Sequence, residues 1–223
     1  YALVGNSTGF NNTATGFRAL FTNTTGNNNT ADGFYALATN SIGSNNTAIG
    51  NYADINAQNL TNSTAIGDSA LATASNQVRI GNANVTSIGG FTDWTNISDA
   101  RVKKNIKENV PGLSFINKLK PITYNLELNA ADKIVQRHVI KTGNGKIIEP
   151  SSGEDATARK AKEQIIYTGF IAQDVEKAAK ELNYDFSGVD AAKNAKDLYG
   201  LRYAEFVVPL VKAVQELSAK NDE

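Results

Sequence analysis

A 17-residue repeat in the first part of the chain constrains the fold more than any other feature of the sequence. The tetrapeptides TATG, TADG, TAIG and TAIG begin at positions 13, 30, 47 and 64, so their last residues are equivalent: Gly16, Gly33, Gly50 and Gly67. A second glycine series and the Ala-Leu pairs keep the same period: Gly9, Gly26 and Gly43, and the pairs beginning at Ala2, Ala19, Ala36 and Ala70. A fixed period this short predicts a solenoid in which each coil covers the apolar face of the next.

Seventeen residues leave room for two short strands and two turns in each coil. We expect Thr-Ala-Xaa-Gly to form a strand with small inward side chains, and both glycine series to supply positive φ at corners. Stacked Asn and Thr side chains should form hydrogen-bonded ladders. With Ala, Leu and an occasional Ile inside, one column of coils buries too little apolar surface to be stable alone, so self-association would complete the fold.

The segment GFRALFTNTTGNNNTADGFYALATNSIGSNNTAIG, residues 16–50, resembles the head repeats of trimeric autotransporter adhesins, which also occur in phage fibres. The resemblance covers roughly residues 1–90 and implies a trimeric left-handed parallel β-roll. The repeat loosens after Gly67, and QVRIGNANVTSIGG is expected to close the roll. A monomeric β-helix is the alternative that the residues leave open.

The charges show that the second half of the chain is built on different physics. Of the 22 Lys and Arg and 22 Asp and Glu residues, six precede Ile97 and 38 follow it. They sum to zero, which gives no long-range field for nucleic acid or an anionic membrane, and no window approaches 18 uninterrupted apolar residues. We therefore expect neither a nucleic-acid partner nor a membrane segment.

The chain has no cysteine and one histidine, His138, which we interpret as a surface residue. Disulfides are excluded, and we expect no metal site and no cofactor. The chain opens on Tyr1 in the middle of the repeat pattern, so we expect it to be a fragment of a longer protein.

Residues 98–223 predict a mixed α+β domain. We expect a helix over SDARVKKNIKEN, capped by Ser98 and with Val102 and Ile106 on one face, then a short helix between Pro111 and Pro121. A strand follows over ITYNLEL, and IIYTGFIAQDVEKAAKEL predicts a strand, a tight glycine and a helix. The polar residues 129–163 suggest a hairpin or a mobile insertion.

The C-terminal segment YAEFVVPLVKAVQELSAK predicts a helix with an apolar seam. Its seam residues recur at steps of three and four: Tyr203, Phe206, Leu210, Ala213 and Leu217. Such a seam suits packing around a threefold axis or burial against its own domain. Pro209 must lie in the first turn or at a kink, because a proline inside a helix costs about 3 kcal/mol.

The stretch NISDARVKKN, residues 96–105, has two interpretations. In the structural one, Ser98 caps a helix and the basic residues are solvated. In the catalytic one, Ser98 and Lys103 supply a nucleophile and a base without any histidine. Five residues along a continuous helix turn side chains about 140° apart, so Lys103 would have to fold back or come from a neighbouring subunit. The free N–H groups of the first turn would then face an oxyanion on the Ile97 carbonyl.

Four segments in this order, SDARVKKNI, GLSFINKLKPITYNL, GFIAQDVEKA and YAEFVVPLVKAVQEL, resemble the C-terminal intramolecular chaperone domain of phage tailspikes and endosialidases. This auto-processing peptidase family also occurs in a membrane-tethered transcription factor of animals. The resemblance covers residues 98–223 and includes the motif Ser-Asp-Xaa-Arg-Xaa-Lys without departure. It implies that Ser98 is the nucleophile and Lys103 the general base, that Asp99 and Arg101 orient the loop, and that the cut falls between Ile97 and Ser98.

These patterns predict a homotrimeric tail-fibre or tailspike fragment with a β-roll over residues 1–90, a junction over 91–97 and a self-cleaving intramolecular chaperone domain over 98–223. The C-terminal helix would lie on the trimer axis, and Trp94 would pack at the junction. The activity would be that of a single-turnover serine autopeptidase, on a virion or a bacterial cell surface, with a host glycan or protein as the receptor of the full fibre. The rival hypothesis is a non-processing trimeric surface adhesin whose β-roll binds the host glycan or protein.

Overall fold

The computed structural model describes residues 1–136, 140–141, 147–148 and 156–221, so His138 lies outside the described residues. The chain divides into two compact units. The first comprises Tyr1–Thr86, Leu126–Ile165 and Lys193–Leu198, and the second comprises Ser87–Asn125, Ile166–Ala192 and Tyr199–Glu223. None of the helices in the described part combines the length and the apolar character that a membrane span requires.

The first unit is built on a parallel β-solenoid of about four coils. Its main sheet has the order β1-β2-β3-β5-β7, and these strands are Thr13–Thr15, Thr30–Asp32, Thr47–Ile49, Thr64–Ile66 and Val78–Ile80. The register follows the repeat, because Thr13 pairs with Thr30, Thr30 with Thr47 and Thr47 with Thr64. The solenoid predicted from the 17-residue period is thus confirmed, with a shorter final step in which Thr64 pairs with Val78.

Only the last coils carry a second strand. There β4, Asp54–Ile55, pairs in parallel with β6, Leu71–Ala72. In the earlier coils the Ala-Leu pair lies in a turn, and Leu3, Leu20 and Leu37 have φ values of 53°, 49° and 48°. The room that 17 residues leave for a second strand is not used in these coils, because a left-handed leucine turns the chain where a strand would continue.

The two glycine series serve different purposes. The first series has positive φ, as predicted for corners: Gly16, Gly33, Gly50 and Gly67. The prediction is wrong for the second series, Gly9, Gly26 and Gly43, which does not adopt positive φ. A Cβ at these three positions would lie 2.1 to 2.4 Å from a backbone oxygen of the next coil, so glycine is required there for close approach.

The solenoid core is small and is bordered by an asparagine ladder. Its fully buried apolar side chains are mostly alanines, with Leu20, Leu37 and Ile55 among them. Asn23 Nδ2 donates to Asn6 Oδ1 at 2.7 Å, and Asn40 Nδ2 donates to Asn23 Oδ1 at 2.8 Å. The expected ladder and the expected alanine-rich interior are both confirmed.

The polar residues 129–163 contribute helices to the first unit as well as a hairpin. The segment holds α2, Leu128–Val135; β9, Ile140–Lys141; β10, Ile147–Ile148; and α3, Ala156–Glu163. The antiparallel pairing of β9 with β10 confirms the hairpin. The two helices were not predicted, and they are joined by an ion pair in which Arg159 Nη2 lies 2.7 Å from Asp132 Oδ2.

The second unit is a mixed α+β arrangement with an aromatic core. Its elements are α1, Leu113–Ile116; β8, Ile122–Tyr124; β11, Tyr167–Gly169; α4, Ala172–Glu181; β12, Val189–Asp190; β13, Gly200–Leu201; and α5, Val207–Asn221. β8 pairs with β11 and β12 with β13, both antiparallel. The core contains Phe115, Val175, Ala178, Ala179, Phe186 and Phe206. The tight glycine is Gly169, where a Cβ would meet the Tyr203 hydroxyl at 2.2 Å.

Helix α5 presents two adjacent apolar faces. Phe206, which precedes it, and Pro209 and Ala213 are buried, and Glu216 Oε2 accepts a 2.8 Å hydrogen bond from the Leu113 N–H. Because successive helical residues are about 100° apart, the other apolar residues form an exposed stripe beside this face. The α5 apolar stripe consists of Val207, Leu210, Val211, Val214 and Leu217, each 46–64% exposed. The single predicted seam is therefore divided between two faces, and Pro209 lies in the first turn as predicted.

Candidate functional site

The loop after Ser98 folds as a short 3₁₀ turn, Ala100–Val102, and the predicted helix is absent over SDARVKKNIKEN in the described chain. The N-cap is Asp99, whose carboxylate accepts the Arg101 N–H at 2.8 Å, so the prediction that Ser98 is the cap is wrong. Aspartate competes well for a nearby backbone N–H, which favours a turn over a continued helix. At Lys103 the backbone is extended, with φ −87° and ψ 135°. Val102 and Ile106 are consequently exposed.

The turn brings the side chain of Lys103 back to Ser98. Lys103 Nζ donates to Ser98 Oγ at 2.9 Å, and both residues are exposed in the single chain. The sequence left two arrangements open, in which Lys103 either folds back within its own chain or comes from a neighbouring subunit. In the structure of the single chain it folds back. A distance of this size lies in the range expected for a nucleophile and its base, about 2.6–3.2 Å.

Asp99 and Arg101, which lie between Ser98 and Lys103 in the sequence, form a bidentate ion pair. Arg101 Nε donates to both carboxylate oxygens at 3.0 Å, and Arg101 Nη2 donates to Asp99 Oδ2 at 2.5 Å. These side-chain bonds, with the Arg101 N–H, hold the pKa of Asp99 below its ordinary value, and the carboxylate raises the pKa of Arg101. The pair therefore stays charged and fixes the turn that carries Lys103.

Three main-chain N–H groups of the turn are used within the turn itself. The Arg101 N–H bonds to the Asp99 side chain, the Val102 N–H to the Asp99 carbonyl and the Lys103 N–H to the Ala100 carbonyl. The prediction that the first turn directs its free N–H groups at an oxyanion on Ile97 is wrong for these three groups. The Asp99 side chain and the i→i+3 bonds of the 3₁₀ turn use these donors, whereas the first four N–H groups of an α-helix have no partner within the helix.

The junction before the site leaves its apolar side chains in solvent. They are Phe91, Trp94 and Ile97, and Trp94 is 81% exposed. The expectation that Trp94 packs at the junction is therefore wrong for the single chain. Residues 83–98 adopt neither helix nor strand, so no regular element presents these side chains to a core.

The structure also contains a buried polar cluster that the sequence did not predict. Asp197 is 6% exposed and accepts hydrogen bonds from Thr73 and Gln77, both of which are also buried. No local motif marks Asp197, since its partners lie 124 and 120 residues earlier in the chain. Among the described residues, no three acidic or histidine side chains cluster closely enough to hold a metal ion.

The described geometry defines a class of protein, namely a β-solenoid followed in the chain by a mixed α+β domain that opens on a hydrogen-bonded Ser-Lys pair. Residues 98–184 match the family model of the chaperone of endosialidase. This match follows the solenoid in the chain and agrees with the resemblance stated for the residues after Ser98. The match begins at Ser98 and supports an intramolecular chaperone role for the domain.

The matched residues end at Tyr184, before β12, β13 and α5. No curated protein and no solved structure matches the chain.

Proposed function

We propose that the chain is part of a homotrimeric tail fibre or tailspike, in which the chaperone domain brings three chains into register and then cuts each chain once, between Ile97 and Ser98. The observation that carries this proposal is the 2.9 Å hydrogen bond between Lys103 Nζ and Ser98 Oγ. A serine that directly follows the bond it attacks reacts intramolecularly, at a high effective concentration. The site would act once on its own chain, with no cofactor.

The cleavage would proceed through an N-to-O acyl shift. Neutral Lys103 accepts the hydroxyl proton of Ser98 as Oγ attacks the Ile97 carbonyl carbon. The bond from that carbon to the Ser98 nitrogen breaks, the nitrogen leaves as an amine after gaining a proton, and an ester remains on Oγ. Water then adds to the ester carbon, which releases the Ile97 carboxylate and restores the Ser98 hydroxyl. Asp99 and Arg101 hold the turn during both steps.

The exposure of the pair would make cleavage depend on assembly. Burial disfavours the charged form of a lysine and so favours its action as a general base, whereas Lys103 is exposed in the single chain. We infer that neighbouring subunits cover the Ser98 loop in the trimer, together with the exposed junction side chains Phe91 and Trp94. Cleavage would then follow trimer formation.

Two observations support the trimer. The α5 apolar stripe is a contiguous exposed surface of five aliphatic side chains, of the kind that marks a protein interface. The alanine-rich solenoid core is small for a free-standing column of coils. A C-terminal nucleus that joins three chains in register would raise the effective concentration of the three solenoids for one another. A fibre of this kind belongs on a virion or a bacterial surface.

The first test is denaturing mass spectrometry of freshly purified protein beside Ser98→Ala, Lys103→Ala and the control Lys104→Ala. We expect the wild type and the control to give fragments of 97 and 126 residues, and the other two variants to stay whole. If all four proteins remain intact after the trimer has formed, self-cleavage is wrong for this chain. The non-processing adhesin would then be the better account.

A further inference from the structure

Residues on both sides of the proposed cut belong to the same compact unit. The solenoid, in Tyr1–Thr86, precedes Ser98, whereas Leu126–Ile165 and Lys193–Leu198 follow it and pack in one unit with the solenoid. We propose that these two segments dock on the last coils and hold the C-terminal fragment on the solenoid after the chain is cut. The cut rests on the proposed function, but the docking does not.

The main anchor is the buried carboxylate of Asp197. Thr73 Oγ1 donates to its Oδ1 at 2.6 Å, and Gln77 Nε2 lies 3.1 and 3.2 Å from its two oxygens. Arg79 Nη2 is 3.7 Å from Oδ1. The Lys193 N–H donates to Oδ2 at 3.0 Å, which closes the loop of residues 193–198 around the carboxylate. Three side chains of the last coil, Thr73, Gln77 and Arg79, therefore contact one carboxylate that lies after the cut in the sequence.

Four further hydrogen bonds, donated by three side chains, join the docking segments to the solenoid and the residues that follow it. Asn194 Nδ2 donates to the Thr73 carbonyl at 2.8 Å. Asn56, which is 2% exposed, directs its Nδ2 at the carbonyls of Val135 and Lys196, at 3.3 and 3.4 Å. Lys162 Nζ donates to the carbonyl of Val85. Both docking segments thus contribute, since Val135 ends α2, Lys162 lies on α3 and Asn194 and Lys196 lie in the loop.

Undocking would leave buried polar groups without their partners. Thr73 and Gln77 are 4% and 8% exposed, and they face a carboxylate that only the C-terminal fragment provides. Burial alone would raise the pKa of Asp197, but the hydrogen bonds from Thr73, Lys193, Gln77 and Leu198 hold it below its ordinary value. The anchor is therefore an ionised, fully hydrogen-bonded group near neutral pH, which is costly to separate from its partners.

Docking would allow the C-terminal fragment to cap the solenoid after assembly. The last coil of a solenoid has no following coil to cover it, and solenoids need a terminal cap for solubility. The C-terminal fragment would supply that cap, so that cutting frees the junction without releasing the fragment.

The experiment separates docking from self-cleavage. A recognition sequence for a site-specific protease is placed between Gly89 and Gly90, where a Cβ would meet nothing within 4 Å, in a full-length Ser98→Ala chain. The chain is cut with the added protease and passed over a gel-filtration column under native conditions. We expect the two fragments to elute together and to separate only in denaturant.

In the cut Ser98→Ala chain, the further substitution Asp197→Ala should weaken the affinity of the C-terminal fragment for the N-terminal fragment by at least ~30-fold. Losses of this size are usual when one partner of a buried charged network is removed. Asp185→Ala, which removes an exposed carboxylate, is the matched control. Asp197→Asn keeps the side-chain volume and should lie between them. A thermal melt of each uncut protein shows that it is folded.

Separation of the cut Ser98→Ala chain into its fragments would overturn the docking. Fragments that stay together equally well in Asp197→Ala and the control would overturn its assignment to this cluster. Intact wild-type protein in the mass spectrum would contradict only the proposed function, because the added protease makes the cut in this experiment.

Discussion

Asp54 occupies a place that the repeat gives to leucine. Its equivalents at 17-residue spacing are Leu3, Leu20, Leu37 and Leu71. The buried carboxylate accepts the Thr39 hydroxyl at 2.7 Å, the Thr39 N–H at 3.1 Å and the Ile55 N–H at 2.8 Å. Burial raises the pKa of Asp54 to about 7, although these hydrogen bonds oppose the shift. One substitution in the repeat has thus placed a group that titrates near neutrality inside the solenoid.

The titration of Asp54 predicts the direction of a pH effect on stability. Between its ordinary pKa of 3.8 and the folded value of about 7, the folded state binds more protons than the unfolded state. The free energy of unfolding should therefore fall as pH rises from about 4 to about 7, by up to roughly 4 kcal/mol from this group. Denaturant unfolding at pH 4.5 and 7.5 should show this difference in the wild type.

The variant Asp54→Asn should lose that contribution while keeping an acceptor for Thr39 and Ile55. Asp32→Asn, at an exposed position of the same solenoid, should behave as the wild type does. Equal pH dependence in wild type and Asp54→Asn would contradict the assignment.

At the scale of single residues, the conformation of the Ser98 loop could not be predicted from the sequence. Ser98 and Lys103 were proposed as a pair from their residue types and from the resemblance, and their hydrogen bond depends on a turn where the sequence predicted a helix. The error has a local cause, since Asp99 could equally continue a helix or cap a turn. The leucine missing after Ala53 was a readable signal for the buried Asp54.

Each coil of the solenoid depends on its corner glycine. Gly33 has a φ of 140°, and a Cβ there would lie 2.3 Å from the Gly50 carbonyl oxygen. The strands could be predicted because their small residues recur in register. The left-handed leucines could not, because nothing in an Ala-Leu pair distinguishes a turn from a strand. The repeat period therefore predicts the strands, but it does not predict the turns, whose conformation depends on packing between successive coils.

The variant Gly33→Ala should destabilise the first unit by at least ~2 kcal/mol, because it combines a disfavoured backbone angle with a clash against the next coil. Thermal unfolding followed by circular dichroism measures the change. Gly90→Ala is the control, since a Cβ there meets nothing within 4 Å. A melting temperature equal to that of the control would show that the corner tolerates a side chain.

At the scale of the whole molecule, the α5 apolar stripe is the surface on which the proposed assembly depends. We expect Val211→Asp to prevent trimer formation, because it places a charge in the middle of the stripe, at a residue that is 51% exposed in the single chain. Gel filtration with light scattering measures the mass. Gln215→Asp, on an exposed polar position of the same helix, should leave the trimer intact. A trimer that survives both substitutions would place the subunit contact elsewhere.

The composition of the two units could not be read from the sequence. The resemblance and the charge distribution both mark Ser98 as a boundary, yet Leu126–Ile165 and Lys193–Leu198 pack in one unit with the solenoid. Their contacts join residues such as Thr73 and Asp197, which are 124 positions apart. Periodicity and local motifs carry no information about pairs at that separation.

The strict register of the coils also sets how the solenoid can change in length. Because Thr13, Thr30 and Thr47 stack directly on one another, removing or duplicating one 17-residue unit leaves every remaining pair aligned. Each such event shortens or lengthens the column by about 4.8 Å, the spacing of neighbouring strands. The length of the solenoid can therefore change in whole coils without altering the pairing of the coils that remain.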